Sequence, residues 1–178
     1  MNALIAVDVQ NDFCPGGAVP VPEGDAVVGP INRLAEEFEL VIATRDWHPA
    51  DHGSFREAGG IWPTHCVKDT TGAEFHPGLH RDEIDVILDK GQDPGREGYS
   101  AFEDTGLDDF LRDRHVDHLH VAGLALDYCV KATALDGVRL GFPVTVHLGA
   151  TRPAELTPGD GARAVEELRA AGVEVVED

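Results

Sequence analysis

The chain has 178 residues, of which 42% are hydrophobic and 26% are charged, an ordinary composition for a globular protein with a buried core. Its formal net charge of −19, from 33 acidic and 14 basic residues, excludes the basic surface expected of a nucleic-acid-binding protein and argues against binding to anionic membranes. No apolar run is long enough to span a membrane. We therefore expect one domain over residues 1–178, with neither nucleic acid nor membrane as a partner.

The number of cysteines and the sequence of the N-terminus indicate the cellular compartment. Three is an odd number, and the spacing is not that of a disulfide framework, which is typical of a reducing compartment. The N-terminus enters an apolar strand pattern at once and has no basic segment, which argues against a signal peptide. We expect a cytoplasmic protein.

Short apolar runs alternate with stretches of helical periodicity along the chain. The predicted strands are Ala3–Val9, Glu39–Thr44, Asp85–Leu88, His118–Gly123, Pro143–Leu148 and Val173–Val176. The predicted helices are Gly24–Phe38, with Pro30 near its first turn, and Leu107–Arg114, Tyr128–Leu140 and Gly161–Ala171. This alternation predicts an α/β fold, a three-layer α/β/α doubly wound, mainly parallel sheet of five to six strands.

Four chemically active side chains lie at or just after the ends of predicted strands. They are Asp8, Asp46, Lys90 and Cys129. Because ligands bind at the carboxyl edge of a parallel sheet, we expect these four side chains to share one site. The sequence therefore predicts an acid, a second acid, a lysine and a thiol at one edge.

Three of these residues suit nucleophilic catalysis. Cys129 lies where a strand gives way to a helix, and a helix N-terminus lowers a thiol pKa and presents N–H groups to an oxyanion. Asp8, a carboxylate in an apolar strand, is a candidate general base, and Lys90 would stabilise both the carboxylate and the thiolate. The alternatives are a small buried cysteine, a turn-capping aspartate and a solvent-directed lysine.

The segment 45–80 is rich in Gly, Pro, His and Trp and has no clear period, and a loop of that length is usually functional. Asp46 and His48 lie on one side of an extended segment, and His65 can return through the loop to join them. One carboxylate and two imidazoles suit a divalent metal, with Zn²⁺ expected and Fe²⁺ or Mn²⁺ as alternatives. His52 is either a fourth ligand or a residue that supports the loop.

Three aromatic side chains come from separate loops near the expected site. Phe13, Trp62 and Tyr99 could form a slot for a flat ring, in a chain of which only 6% is aromatic. Packing of the loops is the alternative. We expect a small aromatic molecule as the ligand.

Several motifs resemble those of one enzyme family. The matching segments are Val-Asp-Val-Gln-Asn-Asp-Phe-Cys-Pro-Gly-Gly-Ala, Thr-Arg-Asp-Trp-His-Pro-Ala-Asp-His-Gly-Ser-Phe, Trp-Pro-Thr-His-Cys-Val, Lys-Gly-Gln-Asp-Pro, Gly-Tyr-Ser-Ala-Phe and Gly-Leu-Ala-Leu-Asp-Tyr-Cys-Val. Together they resemble the nicotinamidase/pyrazinamidase family of isochorismatase-like cysteine hydrolases. The Asp-Trp-His and Trp-Pro-x-His segments are the ones that select the metal-containing nicotinamidases.

The resemblance implies roles for the residues that match. It implies Asp8, Lys90 and Cys129 as the catalytic set, Asp46, His48 and His65 as metal ligands, with His52 in some members, and Phe13, Trp62 and Tyr99 around the substrate ring. It also implies a cis peptide between Leu124 and Ala125, with the N–H groups of Ala125 and Cys129 as the oxyanion hole. Leu126 departs from the threonine of many members and leaves every catalytic position filled.

The activity implied by the resemblance is hydrolysis of nicotinamide to nicotinate and ammonia through a thioester on Cys129, with pyrazinamide as a further substrate and NAD salvage as the role. Homo-oligomers are common in the superfamily. Two alternatives stay open: a related cysteine hydrolase acting on another amide or carbamoyl compound, and a catalytically silent binding protein. A thiol redox protein is disfavoured because the chain has no Cys-x-x-Cys motif.

Overall fold

The computed structural model describes residues 1–178 and contains one six-stranded sheet with four α-helices. The strands are β1 (Asn2–Val7), β2 (Val41–Asp46), β3 (Val86–Lys90), β4 (His118–Leu124), β5 (Val144–Arg152) and β6 (Glu174–Val176). The helices are α1 (Val28–Ala35), α2 (Leu107–Asp113), α3 (Lys131–Arg139) and α4 (Asp160–Ala170). No helix has both the length and the apolar character needed to cross a membrane.

All neighbouring strands pair in parallel, in the order β3-β2-β1-β4-β5-β6. The predicted doubly wound parallel sheet is therefore confirmed. The order reverses direction between β1 and β4, and such a reversal opens a crevice at the carboxyl ends of the two strands. The residues that follow β1 and β4 are thus the ones that the topology directs to a binding site.

Alternating strand residues face two helical layers because successive side chains of a strand point to opposite faces. Ala3, Ile5 and Val7 of β1 belong to the apolar cluster formed with α2, α3 and α4. Leu4 and Ala6 belong to the cluster on the other face, which is formed with α1. The three predicted layers are confirmed, with one helix on one face of the sheet and three on the other.

The helix predicted for Gly24–Phe38 is shorter in the structure. Gly24–Val27 forms a 3₁₀ turn, and α1 begins only at Val28. Pro30 lies in the first turn of α1, where backbone N–H groups have no intrahelical acceptor and proline is tolerated. The predicted position of Pro30 was correct and the predicted start of the helix was wrong.

Five of the six strands end at residues other than those predicted, and the shifts of β1 and β5 have a visible cause. β1 ends at Val7 rather than Val9 because Asp8 takes a left-handed conformation, with φ of 49°, and turns the chain away. β5 continues to Arg152, four residues beyond its predicted end, despite Gly149. A Cβ at Gly149 would collide with the backbone of Asp178, so the glycine there permits a close approach and does not end the strand.

Candidate active site

The crevice between β1 and β4 brings together the catalytic residues suggested by the sequence. Asp8 follows β1 directly, Lys90 is the last residue of β3, and Cys129 lies in a helical turn that follows β4. All three side chains are buried. One carboxylate oxygen of Asp8, one of Asp46 and the sulfur of Cys129 all lie within 4.8 Å of one another.

Lys90 is at the centre of this group. Its Nζ lies 2.8 Å from Oδ2 of Asp8 and 2.6 Å from Oδ1 of Asp46. The same ammonium donates to the carbonyl oxygen of Gly98 at 2.8 Å and lies 3.5 Å from Sγ of Cys129. The solvent-directed alternative for Lys90 is therefore wrong. One buried cation contacts both carboxylates and the thiol.

The charges of Asp8, Asp46 and Lys90 shift one another's pKa values. Burial opposes the charge on Lys90, but Asp46 and Asp8 together hold the pKa of its ammonium well above its usual value. Burial raises the pKa of Asp8 to about 6, although Lys90 opposes that shift. Burial also acts on Asp46, where the adjacent Lys90 and His48 outweigh it and hold the pKa well below the ordinary range. Asp8 is thus the carboxyl with a pKa suited to proton transfer near neutral pH.

The pKa of the Cys129 thiol is shifted in the opposite direction from the one expected at the start of a helix. Its segment, Leu126–Val130, is a π-helical turn that precedes α3. Burial raises the pKa of Cys129 well above its usual value, and Lys90 only partly opposes the shift. The expected lowering by the helix dipole was wrong because desolvation of the thiolate is the larger effect. The resting residue is a thiol that needs a base.

The turn before Cys129 contains the cis peptide that the family resemblance implied. The peptide between Leu124 and Ala125 is cis. Ala125 adjoins Cys129 on the wall of the same cavity, and its N–H donates to no acceptor of the chain. A buried N–H without an acceptor is costly unless a ligand supplies one. This group is therefore available to a developing negative charge beside the sulfur.

Asp46, His48 and His65 form a candidate metal centre. One donor atom from each lies within 4.8 Å of the others, and all three residues are buried. Nε2 of His48 and Nε2 of His65 lie 3.3 and 3.9 Å from Oδ2 of Asp46. The long loop returns His65 to the end of β2, as its composition suggested.

The outer contacts of the two histidines fit metal binding. Nδ1 of His48 lies 2.7 Å from the carbonyl oxygen of Gly91, and Nδ1 of His65 lies 2.7 Å from that of Pro63. Because a carbonyl oxygen only accepts, Nδ1 donates in each ring, and this leaves Nε2, the nitrogen that faces Asp46, as the atom that could bind a metal. Metal-binding histidines are held in this way by their second nitrogen.

His52 lies beside this centre but outside the converging set. Its ring stacks on that of His48 with the centroids 3.9 Å apart, and its Nδ1 lies 2.7 Å from Oγ of Ser54. Its Nε2 is buried and has no hydrogen-bond partner. Burial lowers the pKa of His52 to about 4, so the ring is neutral at pH 7. Both sequence-based alternatives for His52 remain consistent with these contacts.

One cavity lies against both groups of residues. Its wall contains Cys129, Asp46 and His65 together with the three predicted aromatics, Phe13, Trp62 and Tyr99. The Trp62 indole N–H donates to the hydroxyl of Tyr99 at 3.0 Å, which fixes two of the rings. An apolar wall with a few polar groups suits a small aromatic ligand.

Some residues of the site were not recognised in the sequence. Tyr128 lines the cavity and packs edge-on against Trp62, with the centroids 4.9 Å apart. Its position beside Cys129 in the sequence was a usable signal. Val19, Val21 and Ala154 also line the cavity, but no motif distinguished them.

Comparison with known proteins places this fold and site in a family. The isochorismatase domain matches residues 2–177. The nicotinamidase of Escherichia coli is 46% identical over 196 aligned residues, covering 96% of this chain and 92% of that protein. The pyrazinamidase of Pyrococcus horikoshii, solved in complex with zinc, has 45% identity, a TM-score of 0.91 and 99% coverage of both chains. PnC1 of L. infantum, solved in complex with nicotinate, has 35% identity, a TM-score of 0.94 and coverage of 99% and 92%.

The arrangement is that of a hydrolase built on a doubly wound parallel sheet, with a candidate cysteine nucleophile next to a candidate metal-binding triad. With the match over nearly all of its length, the chain belongs to the isochorismatase family.

Proposed function

We propose that this protein is a metal-dependent cysteine amidohydrolase that converts nicotinamide to nicotinate and ammonia, with pyrazinamide as a further substrate. One observation carries the proposal: Cys129, with Asp8 and Lys90 next to it, lines an aromatic-walled cavity together with Asp46 and His65 of the candidate metal triad. The similar nicotinamidase and zinc-bound pyrazinamidase support it. We propose zinc as the metal, with iron or manganese as alternatives, because the donors are one oxygen and two nitrogens.

The cavity wall orients the substrate. Phe13, Trp62 and Tyr99 enclose the flat ring and exclude water from it. A divalent ion held by Asp46, His48 and His65 would supply a Lewis-acid site for the pyridine nitrogen, directly or through a bound water. The carboxamide then lies toward Cys129, with its oxygen at the N–H groups of Ala125 and Cys129.

The chain's own residues perform the acyl transfer. Asp8 takes the proton of Cys129 while the sulfur forms a bond to the carboxamide carbon, and the negative charge moves to the oxygen at the two N–H groups. Lys90 keeps this step from leaving buried negative charge unpaired, because it contacts both Asp8 and the sulfur. Asp8 returns the proton to the departing nitrogen, the C–N bond breaks, and ammonia leaves.

The same carboxylate serves the second half of the reaction. Asp8 takes a proton from a water molecule while the oxygen of that water attacks the thioester carbon. The C–S bond then breaks, the proton passes from Asp8 to the sulfur and restores the thiol, and the product leaves as the acid, whose remaining proton goes to the released ammonia to give nicotinate and ammonium. The pKa of about 6 for Asp8 suits a group that both accepts and returns a proton.

A substrate panel tests the proposal against the related-hydrolase alternative. Ammonia release is measured for nicotinamide, pyrazinamide, benzamide and a carbamoyl compound, with and without a chelator. The proposal predicts release from nicotinamide and pyrazinamide that is much faster than from benzamide, which lacks the ring nitrogen, and that the chelator abolishes. Equal rates for benzamide and nicotinamide would contradict the proposed role of the metal.

We further propose that the chain acts as one domain in the cytoplasm and works on a small molecule without nucleic acid or membrane. The single sheet, the net charge of −19 and the three unpaired cysteines support this view. We also propose a homo-oligomer, which gel filtration with light scattering tests directly.

A further inference from the structure

The hydrogen-bond ladder between β1 and β2 ends before it reaches the candidate metal ligand. Val7 pairs with Thr44, and the N–H of Asp8 donates to the carbonyl of Thr44 at 3.0 Å. The left-handed conformation of Asp8 then turns the chain away. Asp46 pairs with Lys90 of β3 on its other side. On the side of β1, the ladder has ended, and no main-chain group bonds to the N–H or the carbonyl oxygen of Asp46.

The side chain of Gln10 takes the place of the missing strand. Its Oε1 accepts from the N–H of Asp46 at 2.8 Å, and its Nε2 donates to the carbonyl oxygen of Asp46 at 2.9 Å. The same Nε2 donates to the carbonyl oxygen of Ala73 at 2.9 Å, which ties the amide to a 3₁₀ turn of the long loop. Gln10 is fully buried. One amide thus satisfies three backbone groups, two of them on Asp46.

We propose that Gln10 is a positioning residue for the metal centre, and that it acts by fixing the backbone of Asp46. The two carboxylate oxygens of Asp46 have different partners: Oδ1 contacts Lys90 at 2.6 Å, and Oδ2 faces the Nε2 atoms of His48 and His65. Both contacts hold together only for one orientation of the residue. Gln10 fixes that orientation because it binds the backbone N–H and carbonyl oxygen of Asp46, whereas Lys90 and the two histidines contact only its carboxylate.

This inference rests on the proposed function, because it assumes that Asp46, His48 and His65 bind a metal. Its consequence is specific to Asp46. Without the amide, two buried backbone groups of Asp46 lose their partners, and the residue relaxes away from the geometry that both Lys90 and the metal require.

The test compares Gln10→Met with Asn32→Leu. Asn32, which lies on α1, is a matched control because its amide also binds two backbone groups. These are the carbonyl oxygen of Gly78 and the N–H of His80, both at 2.9 Å. Each purified protein is stripped of metal, and its zinc affinity is measured by competition with a chromophoric chelator. The visible spectrum of the cobalt-loaded form reports ligand geometry, and thermal unfolding of the metal-free form reports stability.

We expect both variants to unfold at lower temperature than the wild type. Only Gln10→Met should lose about 10- to 100-fold in zinc affinity, the usual effect of removing an outer contact of a ligand, and only it should change the cobalt spectrum. Wild-type affinity and an unchanged spectrum in Gln10→Met would overturn the inference. A wild-type protein that binds no metal would instead refute the proposed metal centre.

A second variant of the same length as glutamine covers the case in which Gln10→Met does not fold. Gln10→Glu keeps the length of the side chain and the oxygen that accepts from the N–H of Asp46, but loses the donor to two carbonyl oxygens. We expect its zinc affinity to fall below that of the wild type as well. Unchanged affinity in Gln10→Glu would count against the inference in the same way.

Discussion

Nζ of Lys90 lies 2.6 Å from Oδ1 of Asp46, and through this contact a buried ammonium joins the nucleophile group to the candidate metal ligands. Lys90 also contacts Asp8 at 2.8 Å, so one positive charge serves two buried carboxylates. The arrangement explains why two acids can be buried so close together. It also makes Lys90 the residue on which both halves of the proposed site depend.

Removal of the Lys90 charge should destabilise the protein as well as inactivate it. Lys90→Met leaves Asp8 and Asp46 buried without their cation, a change that typically costs about 3–5 kcal/mol of unfolding free energy. Urea denaturation measures the loss. Lys68→Met is the control because Lys68 is exposed. An unfolding free energy equal to that of the wild type in Lys90→Met would contradict the proposed pairing.

The pH dependence of activity should report Asp8. The general base must be unprotonated, so kcat/KM for nicotinamide should rise as the pH increases through the Asp8 pKa of about 6. Asp8→Asn should lose activity at every pH. A rate that stays constant from pH 5 to pH 7 would show that another group accepts the proton.

Asp8 should make stability depend on pH in the direction opposite to that of activity. Folding raises the pKa of Asp8 from 3.8 to about 6, so the folded state holds this proton more tightly than the unfolded state. Between about pH 6 and pH 4, lowering the pH therefore stabilises the fold through Asp8. The difference in unfolding free energy between wild type and Asp8→Asn, measured across that range, should show this trend, and a difference independent of pH would count against the shift.

Metal binding should depend on His65 more than on His52. Removing a direct ligand should weaken zinc binding more than the roughly 10- to 100-fold that removal of an outer contact costs. We expect His65→Ala to show the larger loss, and His52→Ala the smaller one, because His52 lies outside the converging set. The exposed His80 provides the control, His80→Ala. Equal losses in the two variants would make His52 a fourth ligand.

Substrate binding should depend on the bond between Trp62 and Tyr99. Tyr99→Phe removes the acceptor 3.0 Å from the indole N–H, and the loss of one such hydrogen bond, about 0.5–1.5 kcal/mol, should raise KM by roughly 2- to 10-fold. Tyr128→Phe removes a hydroxyl from the same wall and leaves that bond intact. A similar KM change in both variants would contradict a specific role for the bond.

Much of this site could be predicted because it follows from the topology of the sheet. Asp8, Asp46, Lys90 and Cys129 lie at or after strand ends, and parallel strands direct such residues to one edge. The alternating pattern of apolar runs and helical stretches predicted that sheet. The placement of the candidate residues was therefore accessible without coordinates.

The rest depends on contacts between distant segments. The raised pKa of Cys129 follows from burial under neighbouring loops, which no local pattern records. The proposed role of Gln10 depends on a turn at Asp8 that leaves Asp46 without a main-chain partner on the side of β1. A glutamine three residues after a strand carries no signal of that kind in the sequence. Long-range geometry, and not composition, determines both.

The most direct test of the central claim, that Cys129 is the nucleophile of an amidohydrolase, is ammonia release from nicotinamide by three zinc-loaded proteins. They are the wild type, Cys129→Ala and Cys14→Ala, the last removing a buried free thiol away from Lys90. We predict full activity for the wild type and Cys14→Ala, and none for Cys129→Ala at unchanged zinc content. Ammonia release by Cys129→Ala at the wild-type rate would contradict the account.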